Sequence, residues 1–178
     1  MKFLLFGSGI NQAIREGNVP YLIDALGDPS ASNRRLAAME LGKLRDESSL
    51  PALQKAMEDS DPATQMWAIR GVGGLRDRGS VTQIVERLNS DDDGIRLYAA
   101  KALGEIGDQA ATPALIDALK DPKDRVRQVA AAALAKLGDS RALDPVRRAH
   151  DEARGSTRRR IGQAREELEF RFGTSTLG

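Results

Sequence analysis

Apolar residues recur along this chain with a period of 31 residues, and no insertion or deletion interrupts the pattern. The first apolar column reads Leu22, Leu53, Ile84, Leu115 and Val146. Two further columns read Leu41, Val72, Leu103, Leu134 and Leu44, Leu75, Ile106, Leu137, Leu168. A polar column reads Asp46, Asp77, Asp108 and Asp139. A constant period of this length is typical of stacked helical repeats, because each unit is too small to bury its apolar face alone.

The spacing within each repeat predicts two antiparallel helices. In residues 111–141, Leu115 and Leu119 mark one face of a short helix, which Pro122 interrupts. A longer helix follows from Val126 to Leu137, with apolar residues at i, i+4, i+8 and i+11. Helix pairs repeated in this way predict an all-α fold, specifically a right-handed α-solenoid (an α-α superhelix) of stacked antiparallel helix pairs.

The period also predicts the internal boundaries of a single repeat domain over residues 1–178. These are an N-terminal capping helix in 1–17, repeats in 18–48, 49–79, 80–110 and 111–141, a C-terminal capping repeat in 142–172, and a frayed tail in 173–178. The leading helix is predicted over 2–16, first helices near 18, 49, 80, 111 and 142, and second helices near 31, 62, 93, 124 and 156. Arg160 and Arg165 replace apolar residues of the inner repeats, which fits the polar outer face of a cap.

Composition narrows the functional classes. The chain has 178 residues, a charged fraction of 30% and a formal net charge of only +1. It has no cysteine for a disulfide or a thiolate metal site, and no apolar stretch approaches the ~20 residues that span a bilayer. We therefore expect a cytoplasmic protein. With His150 as the only histidine and no marked nucleophile–base arrangement, we expect no catalytic activity, cofactor or metal.

The fourth repeat carries a motif that resembles a known family. Its elements are Asp121-Pro122, Val126-Arg127, Ala130-Ala131, Ala133-Leu134 and Gly138-Asp139. The chain resembles the HEAT-like repeat family along nearly its whole length, in the short 31-residue form also found in the phycobilin lyase subunits. The resemblance implies the fold but not the function, since that family includes scaffolds, lyase accessory subunits, hydroxylases and DNA glycosylases.

An arginine column in the second helices allows two interpretations. Taken alone, a row of arginines suggests phosphate binding. The resemblance to HEAT-like repeats implies instead a buried ladder between neighbouring repeats, in which an Asp near the turn is paired with an Arg six residues later. The predicted members of this ladder are Asp28, Arg34, Asp59, Gln65, Arg96, Asp121 and Arg127.

The second helices are expected to line a concave surface. Their columns opposite the buried stripe combine small, apolar and basic residues, a mixture suited to a protein segment with apolar anchors and some acidic residues. The predicted binding residues are Arg35, Met39, Met66, Arg70, Leu97 and Lys101.

Three functions remain open on the sequence. The leading hypothesis is a non-catalytic scaffold that binds a protein or peptide segment on the concave surface. The first alternative is DNA or RNA binding along the same surface, although residues 141–178 hold nine Arg against six Asp and Glu, a small excess for that role. The second alternative, an accessory subunit of a chromophore lyase, rests on the repeat type alone.

Overall fold

The fold is entirely helical in the part of the chain that the structure describes. The computed structural model describes residues 6–173, and side chains from residue 9 onward. Eleven α-helices and five short 3-10 turns occur in that range, so the prediction of an all-α helical-repeat fold is confirmed. None of these helices is long and apolar enough to cross a lipid bilayer. The predicted frayed tail beyond Gly173 and the first residues of the predicted leading helix lie outside the described residues.

The chain forms two compact units, which divide after Leu75. The helices of the first unit are α1 (Phe6–Glu16), α2 (Val19–Ala25), α3 (Ala31–Leu44), α4 (Leu50–Ala56) and α5 (Pro62–Leu75). Here α1 packs against α2 and α3, the α2 and α3 helices pack against each other, and α5 packs against α3 and α4. Short first helices and longer second helices therefore alternate along the chain, as the sequence predicts.

The second unit begins at Arg76 and repeats the same packing. Its helices are α6 (Val81–Glu86), α7 (Asp93–Ile106), α8 (Thr112–Ala118), α9 (Asp124–Leu137), α10 (Leu143–Glu152) and α11 (Gly155–Phe172). Each short helix packs against the longer helix that follows it, and α9 packs against both α7 and α11. All first and second helices begin within one residue of the predicted positions.

Two of the three apolar columns are fully buried in the core, whereas the third is buried at Ile106, Leu137 and Leu168 but leaves Leu44 39% exposed. The first column, which reads Leu22, Leu53, Ile84, Leu115 and Val146, is 0% exposed at every position. A column of small residues on the second helices, at Ala37, Ala68, Ala99 and Ala130, is equally inaccessible. Burial of each large aliphatic side chain stabilises the fold by about 1.5–3 kcal/mol, and the small residues let neighbouring helices approach closely.

The recurring aspartates start the first helix of each repeat. Asp46, Asp108 and Asp139 each accept a hydrogen bond from the backbone N–H two residues later, at the start of a 3-10 turn. Asp77 accepts one from the Ser80 hydroxyl at 2.6 Å instead. These carboxylates satisfy N–H groups that would otherwise have no partner, so the polar column has a structural role.

The second helices end on a residue with positive φ. Gly107 and Gly138 have φ values of 76° and 61°, where glycine is not strained. The corresponding positions in earlier repeats hold Arg45 and Arg76, with φ values of 53° and 56°. The same turn is therefore strained at these two arginines, because their Cβ atoms disfavour the left-handed region.

Candidate functional site

One arginine–aspartate pair links adjacent repeats in the first unit. Arg34 on α3 donates from Nε and Nη2 to the two carboxylate oxygens of Asp59, at 2.7 and 2.9 Å. Its Nη1 donates to the backbone carbonyl of Asp28 at 2.9 Å. The carboxylate of Asp28 accepts the backbone N–H of Ser30. The bidentate pair thus fixes the inter-helix turn of the following repeat against α3.

The second unit repeats this arrangement with different residues. Arg96 on α7 donates from Nε and Nη2 to Asp121 at 2.7 and 3.2 Å. Its Nη1 donates to the carbonyls of Ser90 and Asp91 at 2.8 and 3.1 Å. The side chains of Arg96 and Asp121 are only 12% and 6% exposed. Protein groups engage four of the five N–H donors of this largely buried arginine, so it is poorly placed to bind a phosphate.

Arg127 differs from the expected pairing. The resemblance to HEAT-like repeats pairs it with the Asp121 carboxylate six residues earlier, and that prediction is wrong because Arg96 binds this carboxylate. Arg127 instead donates to the backbone carbonyl of Asp121 at 2.7 Å and pairs with Asp124. Gln65 likewise donates to the carbonyl of Asp59. At all four positions the residue six positions earlier thus contributes its carbonyl, and at Arg34 and Arg96 the carboxylate partner comes from the following repeat.

The pairing also determines the charge state of the aspartates. The hydrogen bond from Arg34 is the main cause that lowers the pKa of Asp59. Burial would raise the pKa of Asp121, but the hydrogen bonds from Arg96 and from the Lys123 backbone, together with the nearby charges of Arg96 and Arg127, outweigh it and the net shift is downward. Both carboxylates are therefore ionised at neutral pH, and their charges are neutralised within the protein.

Four of the six predicted binding residues lie in the first unit, where both arginines have partners. The guanidinium of Arg35 forms an ion pair with Asp61 at 3.1 Å. That of Arg70 lies 4.9 Å from the ring centroid of Trp67. Met39 and Met66 are half-buried rather than exposed. The apolar surface offered by the first unit is therefore smaller than the sequence suggested.

The remaining two predicted residues, Leu97 and Lys101, line an open groove in the second unit. The groove has a volume of about 610 Å³ and is lined by α7, α9 and α11. Its floor is made of small and apolar residues, including Gly104, Ala132 and Ala133. Leu97 is half-buried at this surface and Lys101 is exposed.

A close helix contact shapes the floor of this groove. A Cβ atom on Gly104 would lie 2.8 Å from the Cβ of Ala133, closer than van der Waals contact allows. The α7 and α9 helices can approach this closely only because one of the two residues has no side chain. On the other side of the groove, Gln128 of α9 donates to the Thr157 hydroxyl of α11 at 2.9 Å.

The charged residues of the groove are predominantly basic. Lys101, Arg125, Lys136 and Arg160 line it and are all exposed. Within residues 9–173 no carboxylate lies within ion-pairing distance of any of these four cations. The acidic residue of the lining, Glu167, pairs with Arg171 at 2.8 Å. The groove therefore has unpaired positive charge around a small, apolar floor.

Three of these cations are absent from the predicted binding residues: Arg125, Lys136 and Arg160, the last of which the sequence assigns to the polar face of the cap. Arg125 and Lys136 lie on α9 on either side of Gln128 and Ala132, and all four residues line the groove. The spacing of residues 125, 128, 132 and 136 places all four on one face of α9, and this spacing could have identified Arg125 and Lys136 from the sequence. The columns chosen from the sequence followed single repeat positions, so residues at the flanks of the same face were left out.

His150, the histidine of this chain, does not belong to a cluster of metal ligands within the described residues. No three His, Cys, Asp or Glu side chains within that part of the chain come together as possible metal ligands. His150 Nδ1 lies 3.2 Å from Asp151 and 3.3 Å from Arg165. A Cβ atom on Gly162 would touch its ring, so His150 packs between α10 and α11.

Comparison with solved structures finds other helical-repeat proteins. The complex of CpcE and CpcF of phycocyanin lyase from Nostoc sp. PCC7120 contains a chain with 25% identity and a TM-score of 0.76. The match covers 84% of this protein but only 64% of the lyase chain. A designed armadillo repeat protein in complex with the peptide (KR)4 has 18% identity, a TM-score of 0.71 and coverages of 89% and 85%. The Escherichia coli protein YibA has 19% identity, a TM-score of 0.69 and coverages of 90% and 59%.

The sequence itself matches one family. A comparison with curated protein sequences gave no significant match. The family model for HEAT repeats matches residues 19–100 and again residues 81–165. These two matches cover most of the chain and overlap the arginine–aspartate pairs and the groove. On this evidence the chain belongs to the HEAT-repeat family.

Proposed function

We propose that this protein is a non-catalytic interaction scaffold that binds a segment of a partner protein in the groove of α7, α9 and α11. The proposal rests on the groove floor, which is exposed at Ala132 and bordered by cations that form no ion pair with a carboxylate of the described residues. Repeat proteins with small floors and polar rims gain affinity by burying a partner side chain and pairing the rim. The predicted residues Leu97 and Lys101 belong to this surface.

A variant that fills the groove tests the proposal. Ala132→Trp places a large uncharged side chain on the floor, at a position already exposed to solvent, so the fold should be retained. Peptides from a displayed random library should be enriched on the wild-type protein. We expect the enriched peptides to lose about tenfold or more in affinity for Ala132→Trp, because the substitution occupies the space that they fill.

The matched control is Ala110→Trp, which adds the same side chain at an exposed alanine between α7 and α8. This control should bind the enriched peptides like the wild type. Failure to enrich any peptide, or enrichment of peptides that bind both variants equally, would contradict the proposal. Circular dichroism of both variants verifies that helical content is unchanged.

A second candidate function follows from the likeness to the CpcE–CpcF complex. That similarity, at 25% identity and a TM-score of 0.76, favours a subunit of a chromophore lyase that assembles with another repeat protein. The test is bilin attachment to phycocyanin by the purified protein, alone and with a CpcF-type subunit. The scaffold proposal predicts no attachment in either case, whereas the lyase alternative predicts attachment when the second subunit is present. Attachment that requires an intact Ala132 would favour the lyase alternative.

A further inference from the structure

We infer that the partner segment is acidic, with carboxylates on both sides of a short apolar stretch. This inference rests on the proposed function, since it specifies the chemistry of the segment that the same groove binds. The occupant is a protein segment rather than a nucleic acid or a second copy of this chain.

The charge distribution of the groove supports an acidic occupant. Four exposed cations line it, and Glu167 is neutralised by Arg171. Elsewhere in the unit, arginines such as Arg96 and Arg147 are paired with carboxylates of the protein. Unpaired charges of one sign around a concave surface raise the local concentration of ligands of the opposite sign and discriminate against like-charged ones.

The spacing of the cations indicates how the acidic groups are arranged. Arg125 and Lys136 are eleven residues apart on α9, which corresponds to about 16 Å along the helix axis. An extended peptide covers this distance in about five residues. Between the two cations the floor offers Gln128 and Ala132, which can accept a backbone and small apolar side chains. A segment with acidic residues about five positions apart and aliphatic residues between them fits this arrangement.

The composition of the second unit argues against a nucleic acid. From Arg76 onward the chain has nineteen Lys and Arg against seventeen Asp and Glu, a far smaller excess than nucleic-acid-binding domains carry. Nucleic acids need cations along a continuous track of phosphates. The groove instead has its cations at the edges of a floor that includes Ala132 and Ala133.

Three synthetic peptides test the inference. Each is fluorescein-labelled and has the pattern X-X-Ala-Leu-Ala-Leu-X-X, where X is Glu, Gln or Lys. Fluorescence anisotropy should show the Glu peptide binding about tenfold more tightly than the Gln peptide, with the Lys peptide weakest, because two or more charge pairs form only with Glu. Raising the salt concentration should reduce this difference.

A charge-reversal pair shows whether the groove is responsible. Lys101→Glu with Lys136→Glu should weaken the Glu peptide by about tenfold or more and strengthen the Lys peptide. The control Lys55→Glu with Lys120→Glu makes the same change in net charge at exposed lysines outside the groove. The control should change Glu-peptide affinity by less than about twofold at moderate salt.

The outcomes separate this inference from the proposed function. If the Gln peptide binds as tightly as the Glu peptide and only Ala132→Trp abolishes binding, the scaffold proposal stands and the acidic preference is wrong. If library-selected peptides ignore Ala132→Trp, the proposed function itself fails. Competition by duplex DNA at low micromolar concentration would overturn the inference in favour of nucleic acid. Self-association in sedimentation that Lys101→Glu with Lys136→Glu abolishes would overturn it in favour of a second copy.

Discussion

The arginine–aspartate pairs between repeats predict a specific loss of stability when Arg96 is replaced. Arg96→Ala removes two hydrogen bonds to the Asp121 carboxylate and two to backbone carbonyls. Arg96→Gln can retain the carbonyl bond, because Gln65 at the corresponding position makes one to the carbonyl of Asp59. The difference between the two variants therefore separates the carbonyl contacts from the ion pair.

The structure sets the expected magnitude. Removing one partner of a buried ion pair costs about 3–5 kcal/mol, since the other charge stays buried. The Asp121 carboxylate keeps the backbone N–H of Lys123 at 2.8 Å, which places the cost of Arg96→Ala at the lower end, about 3 kcal/mol. For Arg96→Gln we expect about 2 kcal/mol. Asp121→Asn combined with Arg96→Gln should cost less than the sum of the two single changes.

The assay is urea unfolding followed by circular dichroism, at pH 7 and at pH 3. The pKa of Asp121 is lowered in the folded protein, so its contribution is present above the ordinary pKa near 3.8 and is lost as the pH falls below it. The gap between wild type and Arg96→Gln should therefore narrow at pH 3. Equal stability of Arg96→Gln and wild type at pH 7, or an unchanged gap at pH 3, would refute the reasoning.

Other predictions concern the groove floor and the turns. Gly104→Ala should destabilise the protein by about 1–3 kcal/mol in urea unfolding, because the added Cβ clashes with α9. Gly74→Ala should instead stabilise it by about 0.5–1 kcal/mol, because its added Cβ makes only ordinary van der Waals contacts within a helix. Gly107→Arg should lower stability by about 1 kcal/mol, since φ is 76° and nothing else opposes the side chain; an unaffected midpoint would contradict this. A hydrogen bond from Arg141 lowers the pKa of Asp139 to about 2, so between pH 4 and 2 wild type should lose stability more steeply than Asp139→Asn. Parallel pH profiles for the two proteins would show that this pair does not contribute.

Most of the fold could be predicted because the repeats supply the same signal several times. A single helix boundary is ambiguous from one apolar stripe, but five aligned copies fix the position to within one residue. The strained backbone at Arg45 is harder to predict, because an arginine does not by itself indicate a left-handed conformation. Only alignment with Gly107, at the same position of a later repeat, points to a positive φ there. Backbone geometry here follows the repeat and overrides the preference of the individual residue.

The site was less predictable than the fold. In the aligned repeat columns Arg35 and Arg70 have no evident partner. In the structure Arg35 pairs with Asp61 and Arg70 lies over Trp67, and both partners occupy other positions of the repeat, which a column does not show. The Asp121–Arg127 pairing is wrong for a similar reason, because the Asp121 carboxylate binds Arg96 of the preceding repeat rather than the arginine of its own repeat. Local spacing identifies residues that share a helix face, but not which residue of a neighbouring helix reaches them.

The most direct test of the central claim is a ¹⁵N-labelled NMR titration of the protein with the peptide Glu-Glu-Ala-Leu-Ala-Leu-Glu-Glu. Binding in the groove should shift the amide signals of α7, α9 and α11, with the largest changes at Leu97, Gln128 and Gln163. The Ala132→Trp variant should lose these shifts. Saturable shifts confined to the first helices of the repeats, or equal shifts in wild type and Ala132→Trp, would contradict the assignment of this groove as the binding site.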